Sequence, residues 1–250
     1  MLARLMWVTQ ISLVPGRSLR KQLAPGLLVA LLLSGCDDKP LFSLTAGAGG
    51  AGGAGGAGIA VDECAEPGFA SEVVDHAFGE GDFFGQEDFP DQVLGAPVGG
   101  GCCRGALHVV SLGDGGWVDL GFGDKTIVDE EGPDFVVFEN AFWIGGDEDA
   151  PYFELGEVAV SDDGRTWTTF PCDPEDLAGS FCAGLRPVFA HPDNDEVDAF
   201  DPSESGGDAF DLADVGKKSA RYVRISDVAG DEVTFDLDAV AVVHASCEEP

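Results

Sequence analysis

The chain has 250 residues, and its 46 Asp and Glu against 13 Lys and Arg give a formal net charge of −33. Such a charge excludes nucleic acid as a default partner, because phosphate backbones are bound by clustered Lys and Arg. Hydrophobic residues make up 44% of the chain, which is enough to bury the core of one ordinary domain and excludes disorder of the whole chain.

The first 36 residues have the pattern of a bacterial export signal. They carry Lys and Arg but no acid, and the apolar run 27–33 is too short to span a bilayer as a helix. The run ends in a Leu-Ser-Gly-Cys motif that resembles the lipobox of bacterial lipoproteins. We therefore predict a signal peptide over 1–36, lipidation of Cys36, and an exported protein held to a membrane by its lipid, at the cell surface or facing the periplasm. An ordinary secretory signal is the alternative.

Residues 37–63 are predicted to form a flexible tether. Within them, residues 46–58 repeat Gly and Ala in steps of three without proline. A collagen helix would need proline in the other positions, so this composition favours a flexible spacer. The remaining residues, 64–250, are predicted to form one domain.

Six cysteines fall in this domain, and an even number in an exported chain predicts disulfides. Cys64 and Cys247 bracket the domain and are suited to join its ends, and Cys172 with Cys182 would close a local loop. Cys102 and Cys103 either form a vicinal disulfide or exchange partners with the second pair. A zinc site is disfavoured because no Cys-x-x-Cys spacing is present.

The domain consists of short apolar runs separated by Gly, Asp and Pro, which predicts an all-β antiparallel sandwich or jelly roll. Residues 135–138 are apolar at every position, as expected of a central strand packed on both faces. Asp163-Gly164 between two alternating runs predicts a hairpin. The expected strands are 71–76, 107–112, 116–122, 134–140, 153–161, 165–170, 220–226 and 234–244.

Four segments resemble discoidin-type domains, which belong to the galactose-binding-like sandwiches. The Ser-Asp-Asp-Gly-Arg-Thr-Trp run at 161–167, followed by Ala-Arg-Tyr-Val-Arg-Ile at 220–225, is similar to their paired signature. Residues 91–97 resemble their early loop, and residues 235–240 resemble their last strand. The resemblance implies a galactose-binding-like jelly roll.

Two further segments, 132–142 and 206–213, resemble a group of bacterial cell-surface lipoproteins of undefined activity. Together the similar segments extend over about residues 90–243, whereas the insert at 171–219 departs from the discoidin pattern. The resemblance therefore implies a fold more strongly than a ligand.

Acidic residues are concentrated at 191–214, where no Lys or Arg offsets them. Carboxylate oxygens on a turn-rich segment are typical calcium ligands. An EF-hand is disfavoured because Asp198 stands where that loop needs glycine, and a solvated acidic surface is the alternative. The discoidin resemblance implies a structural calcium near the last strand. The predicted calcium ligands are Asp193, Asp195, Asp208, Asp211, Asp236 and Asp238.

Polar and aromatic residues follow the most apolar strand. Glu139 and Asn140 leave that strand and must find partners, so they order a loop, bind calcium or face a ligand. Trp143 and Tyr152 flank an acidic glycine-containing loop, and exposed aromatic rings stack on sugars. We predict that these four residues contact the ligand, with packing at the rim as the alternative for the two aromatic rings.

No motif for a catalytic nucleophile, a zinc protease, a phosphate loop or a dinucleotide is present, so we predict no catalytic residues and no enzyme. The expected function is a calcium-stabilised binding module for carbohydrate or another cell-surface component. One alternative is a hydrolase of extracellular polymer, which needs two carboxylates in a cleft. The other is a structural or interaction protein of the cell envelope, which needs a large apolar patch.

Overall fold

The computed structural model describes residues 63–81, 83–230 and 233–247. The chain divides into two units, Met1–Gly35 and Cys36–Pro250, and every described residue belongs to the second. The predicted signal peptide, the lipidation of Cys36 and the tether up to residue 62 lie outside the described residues.

The described residues form short strands and five 3₁₀ turns, because apolar runs are interrupted by turn-forming residues every few positions. The turns are Glu63–Ala65, Gln86–Asp88, Asp91–Val93, Ile144–Gly146 and Leu212–Val215. The strands are β1 (Gly68–Phe69), β2 (Glu72–Ala77), β3 (Val110–Ser111), β4 (Trp117–Gly121), β5 (Thr126–Val128), β6 (Phe135–Phe138), β7 (Phe142–Trp143), β8 (Pro151–Tyr152), β9 (Gly156–Ser161), β10 (Thr168–Thr169), β11 (Asp208–Phe210), β12 (Ser219–Ala220), β13 (Tyr222–Asp227), β14 (Asp236–Leu237), β15 (Ala239–Val242) and β16 (Ala245–Ser246).

Two sheets dominate the fold. One has the order β10-β9-β13-β4-β2 and the other has the order β1-β15-β6-β11. Three smaller sheets, β12-β5-β16, β14-β3 and β7-β8, complete the domain. All the strand pairs are antiparallel. The prediction of a predominantly antiparallel β domain is therefore confirmed.

The main core contains side chains from both large sheets, an arrangement consistent with a β-sandwich. Alternate residues of the first sheet, such as Leu120 and Ile225, share one buried cluster with Phe135 and Val137 of β6. The other two residues of β6, Val136 and Phe138, belong to a second buried cluster. The strand β6 is thus packed on both faces, as its continuous apolar sequence predicts.

The outer face of the five-stranded sheet carries an ion pair between a half-buried arginine and a buried aspartate. Arg224 on β13 lies opposite Asp119 on β4, and its Nε and Nη2 donate to the two carboxylate oxygens at 2.6 and 2.8 Å. The guanidinium also lies over the rings of Trp117 and Trp167, at 4.2 and 4.4 Å from their centroids. Two aromatic rings and a bidentate carboxylate therefore fix this side chain.

The predicted hairpin is present, but its turn is longer than two residues. Thr168 pairs with Val160, and residues 162–167 connect β9 to β10. Asp163 accepts hydrogen bonds from the backbone amides of Arg165 and Thr166 at 2.9 and 2.7 Å. These bonds hold the two amides in the turn and keep them out of the strand, which is why β10 is shorter than predicted.

Several predicted strands are shorter or interrupted. The segment 107–112 contributes only β3, and 153–161 contributes only β9. The segment 234–244 is divided at Asp238, because β14 pairs with β3 whereas β15 pairs with β6 in another sheet. The short strands β1, β5, β7, β8, β11 and β16 fall outside the predicted set.

Three disulfides join the six cysteines. Cys64 pairs with Cys247 across 183 positions, and Cys172 pairs with Cys182 across 10. Cys102 and Cys103 form a vicinal disulfide, which is one of the two arrangements left open by the sequence. The first bond ties the beginning of the described domain to its end.

Candidate functional site

Glu139 is the least satisfied carboxyl group near the end of β6. Only 2% of the residue is exposed, and its Oε2 atom is buried without a hydrogen-bond partner. Burial raises the pKa of Glu139 well above its ordinary value, whereas a backbone hydrogen bond from Asn140 lowers it. The charges of Glu154, Asp236 and Asp208 raise this pKa further, so these three acids lie close enough to act on Glu139.

Neutral donors hold the acids around Glu139. Asn140 Nδ2 donates to Asp236 Oδ2 at 3.3 Å, and the hydroxyl of Ser111 donates to Asp236 Oδ1. The Tyr152 hydroxyl donates to Glu154 Oε1 at 2.9 Å. We call Glu139, Asn140, Tyr152, Glu154 and Asp236 the Glu139 cluster.

An aromatic pair borders the Glu139 cluster. The β7-β8 hairpin sets Phe142 opposite Tyr152, and their rings stack with centroids 5.0 Å apart. Tyr152 remains 37% exposed. Trp143 follows Phe142 in β7, so its side chain points to the other face of the hairpin. There its ring packs edge-on against Phe189 at 6.3 Å.

The structure therefore brings together three of the four residues predicted to contact a ligand, Glu139, Asn140 and Tyr152. Asp236, predicted as a calcium ligand, joins them. Asp208 lies near enough to affect Glu139, but its Oδ2 accepts amides from Gly184 and Leu185 at 2.7 and 2.8 Å.

Burial raises the pKa of Asp208 to about 6, against the opposing effect of those two amides and of Arg186. Asp208 and Arg186 also line a cavity of about 330 Å³. The carboxyl group of Asp208 thus holds the backbone of Gly184 and Leu185 at the start of β11, and it also acts on the pKa of Glu139.

Asp238 occupies a separate buried position between β14 and β15. Its two oxygens accept the amide of Val98 at 3.1 and 2.8 Å, and burial raises its pKa to about 8. His108 Nδ1 lies 3.7 Å from Asp238 Oδ1 and is itself buried without a hydrogen-bond partner. His108 also lines a cavity of about 390 Å³ with Gln92 and the acids Glu87, Asp88 and Asp91.

Among the described residues, Asp129, Asp134 and Asp211 form a group in which one carboxylate oxygen of each residue lies within 4.8 Å of the others. The structure already supplies these oxygens with donors. Asp134 accepts from the amides of Glu130 and Leu212 and contacts His244 Nδ1 at 2.9 Å. Asp129 pairs with Lys218, and Asp211 caps the turn Leu212–Val215 by accepting the amide of Ala213. Through these contacts the three carboxyl groups tie together segments of the fold.

The remaining two predicted calcium ligands lie in the exposed acidic loop. The side chain of Asp193 is 94% exposed and lies 4.0 Å from His191 Nδ1, and Asp195 is also exposed. Side chains within the loop order it locally, since Asn194, Asp198 and Asp201 accept backbone amides two residues ahead.

No protein-family model, curated protein or solved structure matches this chain. Within the described residues, no helix is long and apolar enough to cross a membrane.

Two site residues were absent from the sequence-based set. Glu154 stands between Phe153 and Leu155, and an acid inside an apolar run is a signal for a buried carboxyl. His108 carried no such signal, because its neighbours Gln92 and Asp238 are distant in the sequence.

Proposed function

We propose that this chain is an exported, lipid-anchored protein whose domain is a galactose-binding-like binding module for carbohydrate or another hydroxyl-rich component of the cell surface. The observation that carries the proposal is the Glu139 cluster, in which a buried carboxyl with an unpartnered oxygen lies among acids beside an exposed tyrosine. The lipobox-like motif at Cys36 supports export and anchoring.

The unpartnered oxygen of Glu139 supports a ligand-binding role. A buried polar atom without a partner costs about 1–3 kcal/mol, and such atoms require a functional or structural reason. A sugar hydroxyl both donates and accepts hydrogen bonds, so it complements carboxyl groups and the Asn140 amide. The exposed ring of Tyr152, stacked on Phe142, supplies an apolar surface for a pyranose ring.

Calcium remains part of the proposal as a stabilising ion. Three of the predicted ligands, Asp208, Asp211 and Asp238, accept backbone amides. Asp236, Asp193 and Asp195 are therefore the better candidates, because a cation at these residues would displace fewer amide donors.

Hydrolysis of an extracellular polymer is the second candidate function. A general acid needs a carboxyl group with a raised pKa beside an ionised one, and burial gives Glu139 that property near Glu154 and Asp236. Release of reducing ends from a polysaccharide, lost in Glu139→Gln, would favour this function over binding alone.

The binding proposal is tested by retention of the mature protein on a panel of immobilised neutral, amino and acidic polysaccharides. Tyr152→Ala should reduce retention about tenfold, because it removes both the ring and the donor to Glu154. Tyr222, the only other tyrosine in the chain, provides the matched control Tyr222→Ala, which should retain binding. Failure of the wild-type protein to be retained on any member of the panel would overturn the proposal.

A further inference from the structure

The cavity beside His108 contains buried polar atoms without partners. It has a volume of about 390 Å³, shares no residue with the Glu139 cluster, and is lined by Gln92, His108, Phe89 and three acids. Three buried side-chain polar atoms of the described residues have no hydrogen-bond partner, and two of them, Gln92 Oε1 and His108 Nδ1, belong to this lining. Because such atoms are unfavourable, two of them at one cavity indicate a ligand that supplies hydrogen bonds.

The surrounding backbone positions both side chains. Gln92 lies in the turn Asp91–Val93, and a Cβ atom at Gly85 would lie 2.8 Å from Gln92 Oε1, so glycine permits this close approach. His108 Nδ1 lies 3.7 Å from Asp238 Oδ1, which is beyond hydrogen-bond distance. Since 40% of the His108 side chain is exposed, its ring is accessible to a ligand in the cavity.

The lining is acidic, and its described residues include no Lys or Arg. The acids are Glu87, Asp88 and Asp91, and all three are exposed. No hydrogen bond or ion pair within the described part of the chain involves their carboxylate groups. Carboxylates beside the unpartnered carbonyl oxygen of Gln92 favour a ligand that is positively charged and carries hydrogen-bond donors.

The other features of the cavity distinguish between kinds of cation. A metal ion needs several ligand atoms close together, and among the described residues the acids that meet this condition as a group of three are Asp129, Asp134 and Asp211, outside the cavity. An ammonium group instead donates its N–H groups to separate acceptors. The half-buried ring of Phe89 packs edge-on against Phe78 at 5.1 Å and supplies an apolar wall. Together these features favour an ammonium group on an alkyl chain.

We propose that this cavity binds a short alkyl diamine in its protonated form. One ammonium group donates to Gln92 Oε1 and to Nδ1 of the neutral His108 ring, and the alkyl chain lies along Phe89. The three acids of the lining offset the charge, and a second ammonium group is favoured because a single one would leave two acids uncompensated. This site is independent of the Glu139 cluster and of the proposed glycan binding.

The test measures binding of 1,4-diaminobutane to the mature protein by calorimetry. Physiological salt is used because a protein of this net charge attracts any cation at low salt. The permethylated diamine keeps both charges and has no N–H donor, whereas 1,4-butanediol keeps donors and has no charge. We expect the diamine to bind at least tenfold more tightly than either analogue, which is the usual effect of losing a charge-assisted hydrogen bond.

Three variants locate the effect. Gln92→Leu removes the buried acceptor and should abolish the preference over the permethylated form. Asp91→Asn removes one charge from the lining and should weaken binding of the diamine about threefold, whereas Asp195→Asn removes one charge from the exposed acidic loop and should leave it unchanged. Since the Asp91 carboxylate makes no hydrogen bond within the described residues, this variant remains informative if Gln92→Leu fails to fold in thermal melting.

Several outcomes would overturn the proposal. Equal binding of the diamine and its permethylated form, or an unchanged preference in Gln92→Leu, would exclude recognition by hydrogen bonds. Equal losses in Asp91→Asn and Asp195→Asn would assign binding to the overall field of the protein. Calcium binding that is lost in Asp91→Asn and excludes the diamine would replace the proposal with a metal site. Retention on the polysaccharide panel should be unchanged in Gln92→Leu, so failure of the diamine site leaves the glycan-binding proposal standing.

Discussion

Removal of the disulfide between Cys64 and Cys247 should cost more stability than removal of either of the other two disulfides. The two residues are 183 positions apart, and a crosslink that closes a loop of this length lowers the entropy of the unfolded chain by an amount worth about 5 kcal/mol at 25 °C. The bond between Cys172 and Cys182 closes a loop of 10 positions, for which the same relation gives about 3 kcal/mol. The expected difference between the two is about 2.6 kcal/mol.

The measurement compares two double variants, Cys64→Ser with Cys247→Ser and Cys172→Ser with Cys182→Ser, by urea unfolding of the mature protein. Because an uncrosslinked unfolded chain exposes more surface, the urea dependence should also rise more in the first variant. Equal losses in the two variants would refute the loop-entropy reasoning. The absence of any loss in the first variant would refute it as well.

Three further predictions concern charge. Arg224→Met should lower the free energy of unfolding in urea by about 3 kcal/mol, because Asp119 is left buried without its partner, and a loss below 1 kcal/mol would contradict this. Burial raises the pKa of Asp238 from 3.8 to about 8, so between these pH values the folded protein keeps a proton that the unfolded chain has lost. The resulting contribution to the free energy of unfolding is fully present below about pH 4 and is lost as the pH rises to about 8. The free energy of unfolding, measured by urea titrations between pH 4 and 8, should therefore fall less steeply with pH in Asp238→Asn, by up to about 1.4 kcal/mol per pH unit. An unchanged dependence on pH would show that Asp238 does not carry this effect. Chelation of calcium should lower the melting temperature of the mature protein, and an identical melt with and without chelator would remove calcium from the proposal.

Local patterns predicted the elements that depend on local chemistry. The continuous apolar sequence of β6 predicted a strand packed on both faces, and the Asp163-Gly164 pair predicted the hairpin after β9. The length of the turn depended on the side chain of Asp163, which binds two amides ahead of it. The periodicity of apolar residues carries no information on the hydrogen bonds of the Asp163 side chain, so the strand after the turn was predicted too long.

The candidate site was predicted only in part, because its members come from distant segments. Glu139 and Asn140 were selected since they leave a buried strand, and Asp236 was selected through the discoidin resemblance. Their meeting depends on the pairing of β14 with β3 and of β15 with β6. Burial of an acid such as Asp238 depends on an amide 140 positions away, which composition cannot distinguish among 46 acids.

The arrangement around Arg224 has a spectroscopic consequence. Residues 37–250 contain three tryptophans, and the rings of two of them, Trp117 and Trp167, contact the guanidinium. The third, Trp143, lies in the hairpin that carries Tyr152. A ligand that binds beside this hairpin leaves the first two indoles in an unchanged environment, so a shift in fluorescence emission would come from Trp143. The wild-type protein thus carries a single-site optical reporter, and Trp143→Phe would supply its blank.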